Sequence, residues 1–266
     1  MNIEKLTSEI EKIDYKISES AIEIKKNIYL EFDDKNLKHR DLDFGGKKKG
    51  DWIENIENTF EILEKKTPTS FSKIKDFTHL IVPYGYLKGI QKSLSYTDQP
   101  GVIYVSYQDS QITQAEAIIH ETCHTILFLF SNFDKGMLNA YEAQYYSAVQ
   151  DKPRELHNCF LAFHAFVHVI GFYLEFIKNS NYTKEIPQTI FSTYLKSTSL
   201  FNVIQRYATF TIEGKKLFQQ LKKSLESSEK KVEKLEKKYK KEFEMAQEEQ
   251  IAHFEKITQE FKNIKF

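Results

Sequence analysis

GVIYVSYQDSQITQAEAIIHETCHTILFLF, residues 101–130, places a strand directly before a long helix. Residues 101–106 follow Pro100 and are rich in the β-branched and aromatic side chains that strands favour. Residues 113–116 have the form of a capping box, and the apolar run from Ala117 to Phe130 predicts a helix. A second β-like run, residues 80–82, ends at Pro83. We therefore expect a small sheet within residues 79–107.

Helices are predicted for most of the remaining middle of the chain. Residues 51–66 repeat large apolar side chains on one helical face, and Pro68 ends that helix. Residues 154–177 form a second long apolar helix, and residues 186–212 form one or two more. The predicted fold class is mainly α with a small β-sheet (α+β).

The two ends of the chain differ in composition from this middle part. Apolar residues from Ile3 to Ile24 recur at spacings of three and four, which predicts an amphipathic N-terminal helix before a basic loop. After Lys215 the chain is rich in Lys, Glu and Gln, and an apolar 3-4 rhythm slips near Phe243 before it resumes. This pattern predicts a long C-terminal coiled-coil-like helix whose partner is another copy, the N-terminal helix or a different protein. The predicted domains are residues 1–50, 51–212 and 213–266.

Bulk composition restricts the expected partners and compartment. Lys and Arg total 38, as do Asp and Glu, so no net charge attracts the chain to nucleic acid or to an anionic membrane. The charged start shows no signal peptide, and the longest apolar runs are too short to span a bilayer. Only two cysteines occur, Cys123 and Cys159, both in apolar helical contexts. We therefore expect a cytoplasmic protein with no membrane or nucleic-acid partner.

The segment from His120 to His124 is the main candidate for chemistry. Residues four apart share one face of a helix, so His120 and His124 can bind the same metal ion. Glu121 lies beside that ion, where metallopeptidases place the glutamate that activates water. Burying such groups on an apolar helix is costly unless they have a partner. The alternative is a surface helix that carries these three residues by coincidence.

A third ligand is needed, and the following segment offers two kinds. Arg154, His157, His164 and His168 recur, with Leu161, at spacings of three and four, which would place them on one face of a helix. Glu142 competes with the histidines, because it follows His124 at a distance close to that used by His-Glu zinc peptidases. Each histidine could instead be an ordinary core or rim residue.

Four sequence blocks, taken together, resemble one family. They are residues 99–106, the HExxH segment 120–124, residues 145–147 and residues 153–157. Their order and spacing resemble the HExxH-type peptide-modification proteins, which include 2-oxoglutarate-dependent peptide β-hydroxylases. The resemblance covers about residues 80–177. It implies that His120 and His124 bind iron(II) and that Arg154 holds the carboxylate of 2-oxoglutarate.

The chain departs from that family at several positions. Residues 147–149 read Ser-Ala-Val where members often have Ser-Pro-Trp, and residues 154–156 read Arg-Glu-Leu where members have Arg-Pro-Leu. Leu161 stands where many members have a histidine, and His157 lies one turn earlier. We therefore predict His157 as the third metal ligand, with Glu142 and His164 as alternatives.

Three functions follow from these observations. The first is an iron(II), 2-oxoglutarate-dependent dioxygenase that hydroxylates a peptide or a peptide-bound residue, with His120, His124 and His157 as ligands. The second is a zinc metallopeptidase in which Glu121, the predicted catalytic residue, is the general base. The third is a non-enzymatic helical scaffold with a closed structural metal site.

Overall fold

The chain folds into two compact units, Asn2–Phe130 and Ser131–Phe266. The computed structural model describes residues 3–13, 15, 17–32, 44–85, 93–141, 144–180, 186–261 and 264–266. The division between the units falls inside the predicted 51–212 segment. Helices predominate, with one small mixed sheet, so the predicted α+β class is confirmed.

The N-terminal unit combines one five-stranded sheet with four helices in its described residues. The sheet has the strand order β1-β2-β3-β5-β4. Strands β2, β3 and β5 run parallel, while the outer strands β1 and β4 are antiparallel to their neighbours. The elements are α1 (Ile3–Ile10), β1 (Ile22–Lys25), β2 (Ile28–Leu30), α2 (Lys49–Lys66), α3 (Pro68–Phe77), β3 (Leu80–Pro83), β4 (Ser93–Ser95), β5 (Val102–Val105) and α4 (Gln111–Ser131).

Both predicted strands are confirmed, and both lie in the middle of the sheet. Every residue of β3 and β5 is buried. Central parallel strands are covered on both faces, so their sequences are continuous apolar runs. That continuity explains why β3 and β5 were visible in the sequence while β1, β2 and β4, which are not buried along their whole length, were not.

The predicted N-terminal helix is wrong beyond Ile10. Residues 22–30 form the β1–β2 hairpin instead, and Asn27 closes its turn with φ 63°. Asparagine tolerates this left-handed conformation better than most residues. Ile28 and Leu30 are fully buried in the sheet. Their spacing of two is that of a strand and replaces the spacing of three and four that predicted a helix.

The described residues of the C-terminal unit form mainly four helices. Helix α5 packs against α6 and α7, and α6 packs against α8. Residues 186–207 form one helix rather than two, and α5 begins two residues later than predicted, so Arg154 precedes the helix. The helices are α5 (Leu156–Lys178), α6 (Ile186–Tyr207), α7 (Ile212–Lys238) and α8 (Lys240–Glu260).

The single long helix predicted for residues 215–266 is wrong. The chain leaves helical geometry at Tyr239, where φ is −127° and ψ is 50°, and α8 begins at the next residue. Helix α8 packs on α6, and the Phe243 ring meets the Phe191 ring edge-on at 5.2 Å. The slip in apolar rhythm near Phe243 thus marks a break between two helices, and their apolar faces pack within the same unit.

Helix α5 is long and apolar enough, by length and composition alone, to cross a membrane. Runs of apolar residues stop at each histidine, whereas the most apolar 18-residue stretch of the helix reaches a mean hydropathy of 1.7. Since 67% of that stretch is buried inside the protein, its length and hydropathy also suit a core helix.

Candidate metal centre

Helix α4 supplies the candidate metal ligands of the N-terminal unit. It begins at Gln111, so Thr113 lies inside the first turn and the predicted capping box does not start the helix. Ser110 takes that place, because its Oγ accepts from the backbone N–H of Thr113 at 3.4 Å. Gln114 then ties the preceding loop to the helix, because its Oε1 accepts from the N–H of Gln108 at 2.9 Å.

A buried pair of threonines fixes the helix at the level of the motif. The Thr122 hydroxyl donates to the carbonyl of Ile118 at 2.7 Å, and the Thr78 hydroxyl lies 2.7 Å from that of Thr122. Because the proton of Thr122 is already used, Thr78 is the donor to Thr122. This bond links α4 to the residue that follows α3.

His120, Glu121 and His124 come together as the sequence predicted. One ligand atom from each residue lies within 4.8 Å of the others. The two imidazole rings are 4.6 Å apart between centroids and nearly perpendicular, at 89°. Ligand atoms of a tetrahedral zinc site stand about 3.4 Å apart, given bonds of about 2.0–2.1 Å. Small side-chain rotations would therefore close this set around one ion, and two imidazoles with one carboxylate fit iron(II) or zinc.

Glu121 is buried and held by a neighbouring strand. Its side chain is 2% exposed, and the Ser95 hydroxyl donates to Oε2 at 2.8 Å. Ser93 adds a second side-chain hydrogen bond. Burial raises the pKa of Glu121 to about 7, although both hydroxyl groups favour the ionised form.

The two serines were not identified from the sequence. Side chains two apart in a strand lie on the same face, so the pattern Ser93-Leu94-Ser95 in β4 brings both hydroxyls to Glu121. The alternation of serine and leucine was therefore a sequence signal that both hydroxyls share one face. A three-residue outer strand is too short, however, for its pairing to be predicted without the fold.

His120 is suited to metal binding in its neutral form. His120 retains some exposed surface, yet burial of its ring lowers its pKa to about 4. Its imidazole is therefore neutral near pH 7, as a metal ligand must be.

Arg154 and His157 lie in the C-terminal unit. Arg154 is half-buried, and burial lowers the pKa of its guanidinium. Within the described ranges, no carboxylate pairs with it. His157 lies in the first turn of α5, where its backbone N–H donates to Ala140 at 3.0 Å and its ring contacts Tyr141. Burial chiefly, and the Arg154 charge to a smaller extent, lower the pKa of His157.

The other candidate ligands have separate outcomes. His164 is fully buried in α5, with its ring 4.8 Å from that of His168. Glu142 lies outside the described residues. His120, Glu121 and His124 are thus brought together in the N-terminal unit, and His157 as the third ligand stays a prediction.

Comparison with known proteins gives no identification. No protein-family model matches the chain, and no curated protein matches it significantly.

Proposed function

We propose that this protein is an iron(II), 2-oxoglutarate-dependent hydroxylase that acts on a peptide. The observation that carries the proposal is the convergence of His120, Glu121 and His124 on one helix. A set of two histidines and one carboxylate that leaves other positions open is typical of non-haem iron oxygenases.

Each side chain has a defined part in this proposal. His120 and His124 would hold the metal through their imidazoles. His157 would be the third ligand and Glu121 would orient the set, or Glu121 would itself be the third ligand. Ser95 and Ser93 limit the rotation of the Glu121 carboxyl. When bound, iron(II) and 2-oxoglutarate would activate dioxygen. One oxygen atom would enter a C–H bond of the substrate, and the other would enter the succinate that forms as 2-oxoglutarate loses carbon dioxide.

Arg154 supports the choice of 2-oxoglutarate. A guanidinium grips a carboxylate through two parallel hydrogen bonds, which a lysine cannot do. Arg154 is half-buried and has no carboxylate partner among the described residues, so it can accept an anion from solution. Arg154→Lys should therefore weaken 2-oxoglutarate binding while the metal stays bound.

The outer strand β4 supports a peptide as the substrate. β4 pairs with β5 on one side and, among the described residues, is the last strand of the sheet on the other. An extended peptide can add to such an edge through main-chain hydrogen bonds. Ser95 of this strand also contacts Glu121, so a peptide paired there would pass close to the candidate metal ligands.

A zinc metallopeptidase is the second candidate, and the position of Glu121 favours it. The buried Glu121 carboxyl lies next to both histidines and is fixed by Ser95. A glutamate there can accept the proton of the attacking water and return it to the leaving amine. Zinc would polarise the scissile carbonyl.

Metal and product analysis distinguishes these functions. Protein purified without oxygen is assayed for iron and zinc, then given 2-oxoglutarate, dioxygen and a peptide library. We expect bound iron and succinate formation, both lost in His120→Ala and His124→Ala. Bound zinc, peptide cleavage and loss of cleavage in Glu121→Gln would support the peptidase instead. Tightly bound zinc with neither product would support the scaffold.

A further inference from the structure

The segment that carries Arg154 lies at one edge of a small three-stranded arrangement, whose middle segment carries Tyr145. Tyr145 and Arg154 exchange two backbone hydrogen bonds, with Tyr145 N donating at 2.8 Å and Arg154 N donating at 2.9 Å. On its other side Tyr145 forms a parallel bridge with Lys265. Tyr146 N donates to the Lys265 carbonyl at 2.9 Å, and Lys265 N donates to that of Gln144 at 3.3 Å. Tyr145 therefore links Arg154 to residues 264–266, which we call the tail strand.

The tail strand is held at its far end by helix α6. The Phe266 carbonyl accepts from Arg206 Nη1 at 3.1 Å and from the Tyr207 hydroxyl at 2.9 Å. The Lys265 ammonium lies over the rings of Tyr145 and Tyr207, whose centroids are 5.1 Å apart. Two independent sets of contacts thus fix these three residues between α6 and Tyr145.

Helix α8 brings the tail strand to this place. The Tyr146 hydroxyl accepts from Gln250 Nε2 at 2.9 Å and lies 3.0 Å from His253 Nδ1. Ile257 is fully buried in the same cluster as Tyr146 and Ala148. These side-chain contacts hold Tyr146 in place, while the backbone of the adjacent Tyr145 pairs with Arg154.

We propose that the tail strand is a positioning element for Arg154, and so for the anion that Arg154 binds. The identity of that anion as 2-oxoglutarate rests on the function proposed above. Arg154 precedes α5 and takes no support from helical hydrogen bonds, so the Tyr145 pairing is what orders its backbone. A binding residue that is ordered in advance loses less entropy when its ligand arrives.

Two changes test this inference in the otherwise full chain. One variant ends at residue 263. The other, Tyr207→Phe, removes only the hydroxyl that donates to Phe266. Tyr194→Phe is the control, because it lies in the same helix and loses a hydroxyl that bonds to Glu229 at 3.1 Å and to the Thr198 side chain, away from Phe266. The measurements are hydrogen exchange of the Tyr145 and Arg154 amides, metal content, and the Kd of the Mn(II)-loaded protein for 2-oxoglutarate.

The shortened variant should exchange both amides at least about tenfold faster, because their strand loses its outer partner. Its Kd for 2-oxoglutarate should rise about tenfold, with metal content unchanged. Tyr207→Phe should raise the exchange rates and the Kd for 2-oxoglutarate by about threefold. Tyr194→Phe should change neither.

The two proposals fail in different ways. Unchanged exchange of both amides in the shortened variant would overturn the positioning role, whatever the ligand. Faster exchange with an unchanged Kd would likewise overturn it. A full chain that does not bind 2-oxoglutarate would overturn the proposed function, and the exchange rates would still decide the positioning role.

Discussion

Glu121 owes its orientation to hydroxyl groups that come from a different part of the fold. Ser95 Oγ donates to its carboxyl at 2.8 Å, in a place where water has little access. Partners that orient a metal-binding side chain typically change metal affinity by 10- to 100-fold when removed. The position of Glu121 is thus a property of β4 as much as of α4.

Ser95→Ala should weaken metal binding by about tenfold, because the Glu121 carboxyl gains rotational freedom and loses a donor. Titration of the metal-free protein with Zn(II) against a competing chelator measures the change. Ser224→Ala is the control, since it removes an exposed serine hydroxyl that bonds to Gln220 of its own helix. An affinity equal to that of the control would show that Ser95 does not orient the site.

Cys159 provides a test of burial that depends on pH. Burial raises the pKa of its thiol from 9.0 to about 12. At pH 8.5 the thiolate fraction should therefore be roughly a thousandfold lower than in the unfolded chain. Between about pH 9 and pH 12 the unfolded state has lost this proton while the folded state keeps it, so stability should fall as pH rises.

Iodoacetamide at pH 8.5, followed by mass spectrometry of each cysteine, checks this expectation. Native protein should leave Cys159 unmodified over a time in which protein in urea reacts completely. Rapid native labelling of Cys159 would contradict its burial in α5.

At the scale of elements, the direction of one hydrogen bond decides how α4 is anchored. Thr122 donates to Ile118 and accepts from Thr78. Thr122→Val leaves the buried Thr78 hydroxyl without an acceptor, which costs about 1–3 kcal/mol. Thr78→Val leaves Thr122 bonded to Ile118, so it should cost about 0.5–1.5 kcal/mol.

Urea unfolding of both single variants and the double variant measures these costs. The double variant should be no less stable than Thr122→Val alone, because it no longer contains the Thr78 hydroxyl that Thr122→Val leaves without an acceptor. A larger loss in Thr78→Val than in Thr122→Val would reverse the assigned donor.

Elements were predictable where a local period coincided with the final environment. The buried strands β3 and β5 and the apolar helices α4 and α5 read directly from their sequences. The segment Ile13 to Ile24 was not predictable in this way. Its apolar spacing fitted a helix, but β1 pairs with β2 and β2 pairs with β3, and this pairing was the stronger constraint. The break at Tyr239 was visible only as a slip in rhythm, and a slip does not distinguish a bent helix from two helices.

The same reasoning applies to the site. The spacing of His120 and His124 is a local property of a helix, so it was predicted correctly. Ser93 and Ser95 depend on strand order, and the bridge between Arg154 and Tyr145 depends on long-range pairing. Neither follows from the spacing of residues along the chain.

At the scale of the whole molecule, zero net charge separates this protein from those that bind polyanions through bulk attraction. Recognition must then depend on local groups, such as the edge of β4 and the guanidinium of Arg154. The two compact units also mean that a single unfolding free energy does not describe the chain unless both unfold together. Metal-linked stability is therefore best measured segment by segment.

His157→Ala tests the predicted third ligand on that basis. A ligand that binds only the folded state slows hydrogen exchange in the segments it stabilises. Mn(II) should protect residues 111–131 of the wild-type protein strongly, and also the amides of residues 156–160 if His157 is a ligand. His157→Ala should then lower Mn(II) affinity by at least about tenfold and abolish the second protection. Arg154→Lys, which leaves the imidazole in place, is the control and should keep both protections. Mn(II) affinity equal to wild type in His157→Ala would remove His157 from the ligand set, and Glu142→Ala is the variant to compare with it.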